Sequence, residues 1–400
     1  MTPTLKKIFI VALCCVSLIT CAAPSYNTMK RDMQFIERFE EPVLLQPEDS
    51  EAIVLVSPKH QGRVLTSALS EKAQSNGWLN YTAIESGEGN PGGEDRLWPA
   101  PIGSKFSFFF PAGVSMDNSH WRVPPAFLSG EYTVLTKKAD TVSMRHRYKI
   151  ENHQGTPFSF EVLRTITAYS KRETEKILGI SLSKNHAFVG FGSHNRLTNI
   201  GENWRVERGL AAPWILGMFR GTEDAIAIFP IKDASSTTEK VGQYIHSIPS
   251  DRLVQTPGHV LFKVDGRYQC KIGIPRTLSK NIAGAYSPEL KRLSIIQFSF
   301  DPEATFPSAD EQIKPRRAGG DVSNAYNHGN ADGSVANTHS FYELESAGPM
   351  KALKTNEYVE HTHNTFHFFG SAEDLVPIAQ KLLGVDLLEL SLQAGKSSVN

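Results

Sequence analysis

TVSMRHRYKI, residues 141–150, decides the fold class. Val142, Met144, His146, Tyr148 and Ile150 alternate with Ser143, Arg145, Arg147 and Lys149. A period of two is a strand with one dry and one wet face. The same signal recurs in AIVLVSP (52–58), KFSFFF (105–110), FSFEVLRTITAY (158–169), AIAIFPI (225–231) and RLSIIQFSF (292–300). In LFKVDGRYQCKIGI (261–274), Asp265-Gly266 supplies the residues a type I′ turn prefers, which predicts a hairpin. Helical signal is confined to residues 29–39 and to SAEDLVPIAQKLLG, with Ser371 as N-cap and Gly384 as stop, although Pro377 should kink or divide it. Roughly fifteen or more strands with so few helices imply an all-β fold of large antiparallel sheets packed face to face.

Lys plus Arg and Asp plus Glu each number 42, so no general attraction to nucleic acid or anionic lipid is implied, and no nucleic-acid partner is expected. At the N-terminus, Lys6 and Lys7 precede an apolar run from Ile8 to Ile19, too short for a membrane span and typical of a signal peptide. It ends at Leu18-Ile19-Thr20-Cys21, which resembles a bacterial lipobox, so Cys21 is the expected lipidation site. Thr20 leaves open ordinary cleavage near Ala22-Ala23-Pro24 and a secreted or soluble periplasmic product. The expected location is the cell envelope, anchored to the outer membrane, facing the periplasm or the cell surface, with lipid as the only membrane contact. The implied organisation is a signal segment over 1–21, a tether with a short helix over 22–50, one β-domain over 51–390 and a tail over 391–400. Only Cys270 remains in the folded part, and its alternation with Tyr268 and Ile272 marks a buried thiol.

Four polar stretches offer chemistry. GGEDRLWPAP (92–101) packs Glu94, Asp95, Arg96 and Trp98 between turn-formers and is either a turn that closes a sheet or the rim of a polar pocket. GGDVSNAYNHG (319–329) offers Asn324 and Asn327 on a loop that could bind sugar hydroxyls or simply turn. In SFYELES, Glu343 and Glu345 stand two apart on a strand and share a face, where mutual repulsion raises one pKa if they are enclosed. In VEHTHNTFHFFG, His361, His363, Thr365 and His367 share one face, while Thr362, Asn364, Phe366 and Phe368 share the other. His-x-His can chelate a transition metal, but no third ligand stands at a diagnostic spacing, so no metal and no cofactor are expected. Trp98, Trp121, Trp204 and Trp214 could stack on sugar rings or belong to the core; APWILGMF reads as core and Trp98 does not.

Taken in order, GGEDRLWPAPIGSKFSFFF, SHNRLTNIGENW with GLAAPWILGMF, GGDVSNAYNHG, FYELES and HTHNTFHFFG resemble bacterial secreted proteins and lipoproteins of unknown function with a galactose mutarotase-like fold. The resemblance covers about residues 30–386 and implies the β-supersandwich of aldose 1-epimerases, with a carbohydrate as partner. Gly92-Gly93 with Trp98-Pro99 is similar to a GGxxxxWP pattern of hexose-phosphate mutarotase-like proteins, whose preceding arginine is replaced here by Asn90 and Pro91. Arg96, inside the motif, is the candidate replacement. Leu344-Glu345-Ser346 is similar to the segment carrying the epimerase general base, which implies Glu345 as base. The epimerase histidine has no counterpart on 158–169, where Arg164 and Thr165 stand, so His361 or His363 becomes the candidate acid. Two functions follow: an aldose epimerase-like enzyme with substrate held by Glu94, Asp95, Arg96, Trp98, Asn324, Asn327 and Glu343, or a non-catalytic carbohydrate-binding or envelope-interaction lipoprotein.

Overall fold

A computed structural model describes residues 27–390, apart from 118, 129, 184–185, 236–238, 313–318 and 331–339. Cys21, the signal segment and the 391–400 tail therefore lie outside the described residues.

The alternating segments do become strands, in sheets whose neighbours are all antiparallel. The larger sheet has ten strands: Leu253–Gln255, His259–Lys263, Ile226–Pro230, Ile282–Ser287, Arg292–Phe298, Tyr358–Phe369, Ala187–Asn199, Pro157–Ala168, Thr141–Glu151 and Thr133–Lys137, edge to edge. The smaller has six: Gly242–Tyr244, Cys270–Pro275, Asp321–Asn327, Phe341–Ala347, Ala212–Arg220 and Arg96–Ala100. A three-stranded sheet of Val43–Leu45, Ile53–Ser57 and Arg63–Ala68 meets the smaller sheet through a bridge between Val64 and Asp95. Within 141–151 the pattern holds: Val142, Met144 and Tyr148 are buried while Arg145, Arg147 and Lys149 face water.

The two large sheets pack face to face, and the layer between them is partly polar. Ser346 of the smaller sheet reaches His361 and His363 of the larger, and Arg164 of the larger pairs with Asp95. On the far face of the larger sheet, Phe366 and Phe368 pack beneath the helix Ala372–Leu383 together with Leu375, Ile378 and Leu383. That helix begins and ends as predicted. Ser371 and Asp374 form a reciprocal capping box, and Gly384 closes it at φ 71°. Pro377 does not divide it: the helix runs unbroken from 372 to 383.

Three expectations need correction. KFSFFF is not a strand; Ser107 Oγ donates to Ile102 O at 2.5 Å and accepts from Phe109 N at 3.0 Å, curling the chain so that Phe108, Phe109 and Phe110 are all buried. Asp265-Gly266 does not close a hairpin, because the strands on either side belong to different sheets. Only Gly266 has positive φ, whereas a type I′ turn needs it at both central residues. Residues 27–50 are not a free tether: Met29 and Ile36 of the helix Met29–Ile36 are buried against Leu55 and Leu65, and Val43–Leu45 pairs with Ile53–Ser57.

Candidate functional site

Register decides which side chains meet. In antiparallel neighbours, residues directly opposite share a face. Across the smaller sheet, Lys271, Tyr326, Glu343 and Met218 form one such row. The next row on the same face is Gly273, Asn324, Glu345, Leu216 and Arg96. Glu343 and Glu345 thus stand side by side, as their spacing predicts, and the rows are cross-linked by two ion pairs. Arg96 Nη2 reaches Glu343 Oε1 at 2.6 Å, and Lys271 Nζ reaches Glu345 Oε2 at 3.0 Å.

Indole rings complete this face. Arg96 lies 4.0 Å from the centroid of Trp98, and Lys271 lies 4.7 Å from that of Trp214. Trp214 Nε1 also donates to Glu345 Oε2 at 2.9 Å. Trp98 and Trp214 meet edge to face at 6.0 Å; contrary to the expectation for Trp98, both are buried in the main core, and Trp98 Nε1 donates to Phe127 O at 3.0 Å. Despite this packing, three buried polar atoms here have no hydrogen-bond partner among the described residues: Arg96 Nε, Asn324 Oδ1 and Glu345 Oε1. Leaving such atoms unpaired costs roughly 1–3 kcal/mol each.

Electrostatics separates the carboxylates. Burial raises Glu343 to about 7, against the pull of Arg96, and Glu345 pushes it further, both by its charge and by accepting a hydrogen bond from the protonated form. Burial also raises Glu311, opposed by Lys271 and reinforced by Asp310 and Glu345, which sets a third carboxyl within electrostatic reach of the group. Beside Trp214 and Asn324 the remaining space is about 10 Å³, lined also by Pro307, Ser308 and Ala309. That holds about one water. An adjoining apolar cavity of about 210 Å³, lined by Phe106, Leu210, Phe306 and Met350, shares Pro307 and Ser308 with it.

Of the residues expected at the site, Arg96, Trp98, Asn324, Glu343 and Glu345 come together; Glu94, Asp95, Asn327, His361 and His363 do not. Gly92 and Gly93 have φ of 87° and 115°, and a Cβ on Gly92 would stand 2.2 Å from Trp78 O. The turn they allow sends Glu94 and Asp95 inward. Glu94 accepts from Thr66 Oγ1, Ser67 N and Ser67 Oγ and meets His367 Nε2 at 2.8 Å. Asp95 takes Arg164 on one oxygen and Ser193 Oγ, at 2.8 Å, on the other. GGDVSNAYNHG is a strand over Asp321–Asn327, not a loop, so Asn324 and Asn327, three apart, face opposite ways. Asn327 instead holds the sheet crossing: its Oδ1 accepts from Gly266 N at 2.8 Å and its Nδ2 donates to Tyr268 O at 2.9 Å.

His361 and His363 are separated from Glu345 by the strand that carries it. Ser346 Oγ lies 2.7 Å from both His361 Nε2 and His363 Nδ1, and Ser346, next to Glu345, points to the other face. Burial lowers His361 to about 3 and His363 to about 4, so both are neutral near pH 7. Among the described residues no group of three His, Cys, Asp or Glu is placed to hold a metal ion. Cys270 is buried with its thiol pushed up to about 12, an inert group as its alternation implied. Sequence reasoning missed Lys271 and Glu311. For Lys271 a signal existed: a lone lysine inside the strand CKIGI must have a buried partner if both faces of its sheet are covered.

A family of unknown function, DUF6786, matches residues 27–394. The chain belongs to this family. No curated protein matches the chain. Among solved structures, it is similar to a candidate aldose 1-epimerase from Escherichia coli K12, at 10% identity over 82% of this chain and 99% of that one, with a TM-score of 0.49. A galactose mutarotase-like protein from Lactobacillus casei ATCC 334 shares 11% identity over 82% and 100% of the two chains, with a TM-score of 0.44. A galactose mutarotase related enzyme from Lactobacillus acidophilus shares 9% identity over 83% and 98%, with a TM-score of 0.45.

Proposed function

We propose that this DUF6786 member binds a carbohydrate on the outer face of its smaller sheet and acts on it as an aldose epimerase-like enzyme, with Glu345 as general base. The observation that carries the reading is the trio of unpaired buried atoms, Arg96 Nε, Asn324 Oδ1 and Glu345 Oε1. One donor and two acceptors beside two indoles match a ring with hydroxyls on its edge and C–H groups on its face. Lys271 and Trp214 hold Glu345 Oε2 and leave Oε1 for the substrate. The space beside Trp214 and Asn324 is about 10 Å³, too small for a sugar, so on this reading the face has to open for a sugar to reach the carboxylates.

The test is anomer exchange followed by NMR across a panel of aldoses, with the purified protein and its Glu345→Gln variant. Acceleration by the wild type and its loss in the variant are expected. No acceleration with any aldose, or equal rates in both, counts against the enzyme. The second reading is a non-catalytic carbohydrate-binding protein, favoured by the absence of His361 and His363 from the Glu345 face. Glycan binding without exchange would select it.

We further propose that the protein is an envelope lipoprotein acylated at Cys21, on the strength of Lys6-Lys7, the apolar run and Leu18-Ile19-Thr20-Cys21. Metabolic labelling with a fatty-acid probe should mark the wild type and not Cys21→Ser; equal labelling of both sinks the assignment.

A further inference from the structure

His361 and His363 face away from Glu345, which leaves the sugar reaction without a proton donor. Resting on the sugar-site reading above, we propose that Glu343 is the general acid and Glu345 the general base of one pair carried on a single strand, Phe341–Ala347.

The geometry suits the division of labour. The two residues share a face, their Cα atoms roughly 7 Å apart along the strand. Each is oriented by its own cation from the other row: Arg96 Nη2 grips Glu343 Oε1, and Lys271 Nζ grips Glu345 Oε2. Glu345 Oε1 has no other hydrogen-bond partner among the described residues, and the sugar has to displace the contact in which protonated Glu343 donates to Glu345 before Glu345 accepts a proton. The charged and titratable groups facing Glu343 are Arg96, Glu345 and Lys271, with Tyr326 and Glu311 beside them. Two of them, Arg96 and Lys271, favour the carboxylate, but burial and Glu345 outweigh them and raise Glu343 to about 7. A donor is most effective when its pKa lies near the working pH.

In the step, Glu345 takes the proton of the anomeric hydroxyl, and the freed O–H pair becomes the second C1–O1 bond. The C1–O5 bond breaks, its electron pair takes the proton of Glu343, and the open-chain aldehyde results. After rotation about C1–C2 the ring oxygen attacks the other face of C1. Glu343 then recovers its proton from O5 and Glu345 returns one to O1, so atoms and charge balance without a co-reactant.

The decisive experiment measures anomer exchange of D-glucose, D-galactose and D-mannose against pH for the wild type, Glu343→Gln, Glu343→Asp and His363→Asn. The wild-type rate should fall as pH rises through about 7, because the protonated acid is the active form. Glu343→Gln should slow exchange at least ~100-fold and lose that limb while binding sugar within a few-fold of the wild type, and Glu343→Asp should recover part of the rate. Exchange in Glu343→Gln as fast as in the wild type overturns the assignment, as does a folded His363→Asn that loses activity. Should Glu343→Gln not fold, the wild-type profile decides: a rate flat from about pH 5 to about pH 9 rejects Glu343 as acid. Absence of exchange in the wild type with every sugar defeats the sugar-enzyme reading itself, and this inference with it.

Discussion

Glu345 and Ser346 are neighbours in sequence, yet they serve opposite faces of one sheet. On the inner face, Ser346 ties His361 to His363, Arg164 pairs with Asp95, and His367 joins Glu94 to Ser294. On the outer face, Arg96, Asn324 and Glu345 each retain a polar atom with no hydrogen-bond partner among the described residues, beside the raised carboxyl of Glu343. The inner layer also leaves His363 Nε2 and Thr365 Oγ1 without a hydrogen-bond partner among the described residues, between the two packed sheets. The lesson is that buried polar density does not by itself mark a site, because both faces of this sheet carry it. The inner network links the two sheets, and the outer one carries the proposed ligand site.

The hardest blow to this contrast is Arg164→Leu. Arg164 and Asp95 are both fully buried. Removing one member of such a pair costs about 3–5 kcal/mol, so the variant should unfold at clearly lower denaturant concentration. A loss under about 1 kcal/mol would mean that the inner layer is not what secures the sandwich.

The faces should next differ in the sign of their pH response. Glu343 is raised from 4.5 to about 7, so the folded state holds its proton more tightly than the unfolded one. Its contribution is fully present below pH 4.5 and is lost as pH rises through about 7, a change of about 3 kcal/mol. The stability difference between wild type and Glu343→Gln, followed by urea unfolding, should shrink by that order across the window. The inner imidazoles act the other way. With His361 lowered to about 3 and His363 to about 4 from 6.5, their contribution is present above pH 6.5 and lost as pH falls toward those values. Acid unfolding should therefore begin below about pH 6.5 and become shallower in His363→Asn.

Ser346→Ala is a finer probe, because it strips one hydroxyl from two histidines. A loss of about 1–3 kcal/mol with unchanged ligand affinity is expected. A large fall in affinity would show that the two faces are coupled. Smallest of all, native Cys270 should be silent to thiol reagents until the protein unfolds, since it is buried with its thiol pushed up to about 12. Rapid labelling would reveal frequent opening of the smaller sheet.

Much was legible along the chain. Alternation in TVSMRHRYKI and VEHTHNTFHFFG sorted the residues into faces that the structure keeps, and Ser371 and Gly384 bounded the last helix. Glu343 with Glu345 was visible as a same-face pair for the same reason. What misled was the meaning of a polar cluster: Glu94 and Asp95 looked like a rim and are inner struts, and Asn327 looked like a sugar ligand and holds a crossing between sheets. Lys271, from a distant strand, reaches Glu345 only because Cys270–Pro275 and Phe341–Ala347 lie two places apart in one sheet.

By itself, then, the sequence determined the all-β class, the faces of each long strand, the caps of the C-terminal helix and the shared face of the two glutamates, because period and capping are local properties of the backbone. Only the tertiary structure decided which face of the smaller sheet looks inward, which cation stands beside which carboxylate, and that the histidines and Glu345 are divided by a strand. Strand order and sheet stacking are set by contacts between residues far apart in the chain, and no local pattern encodes what will cover a face.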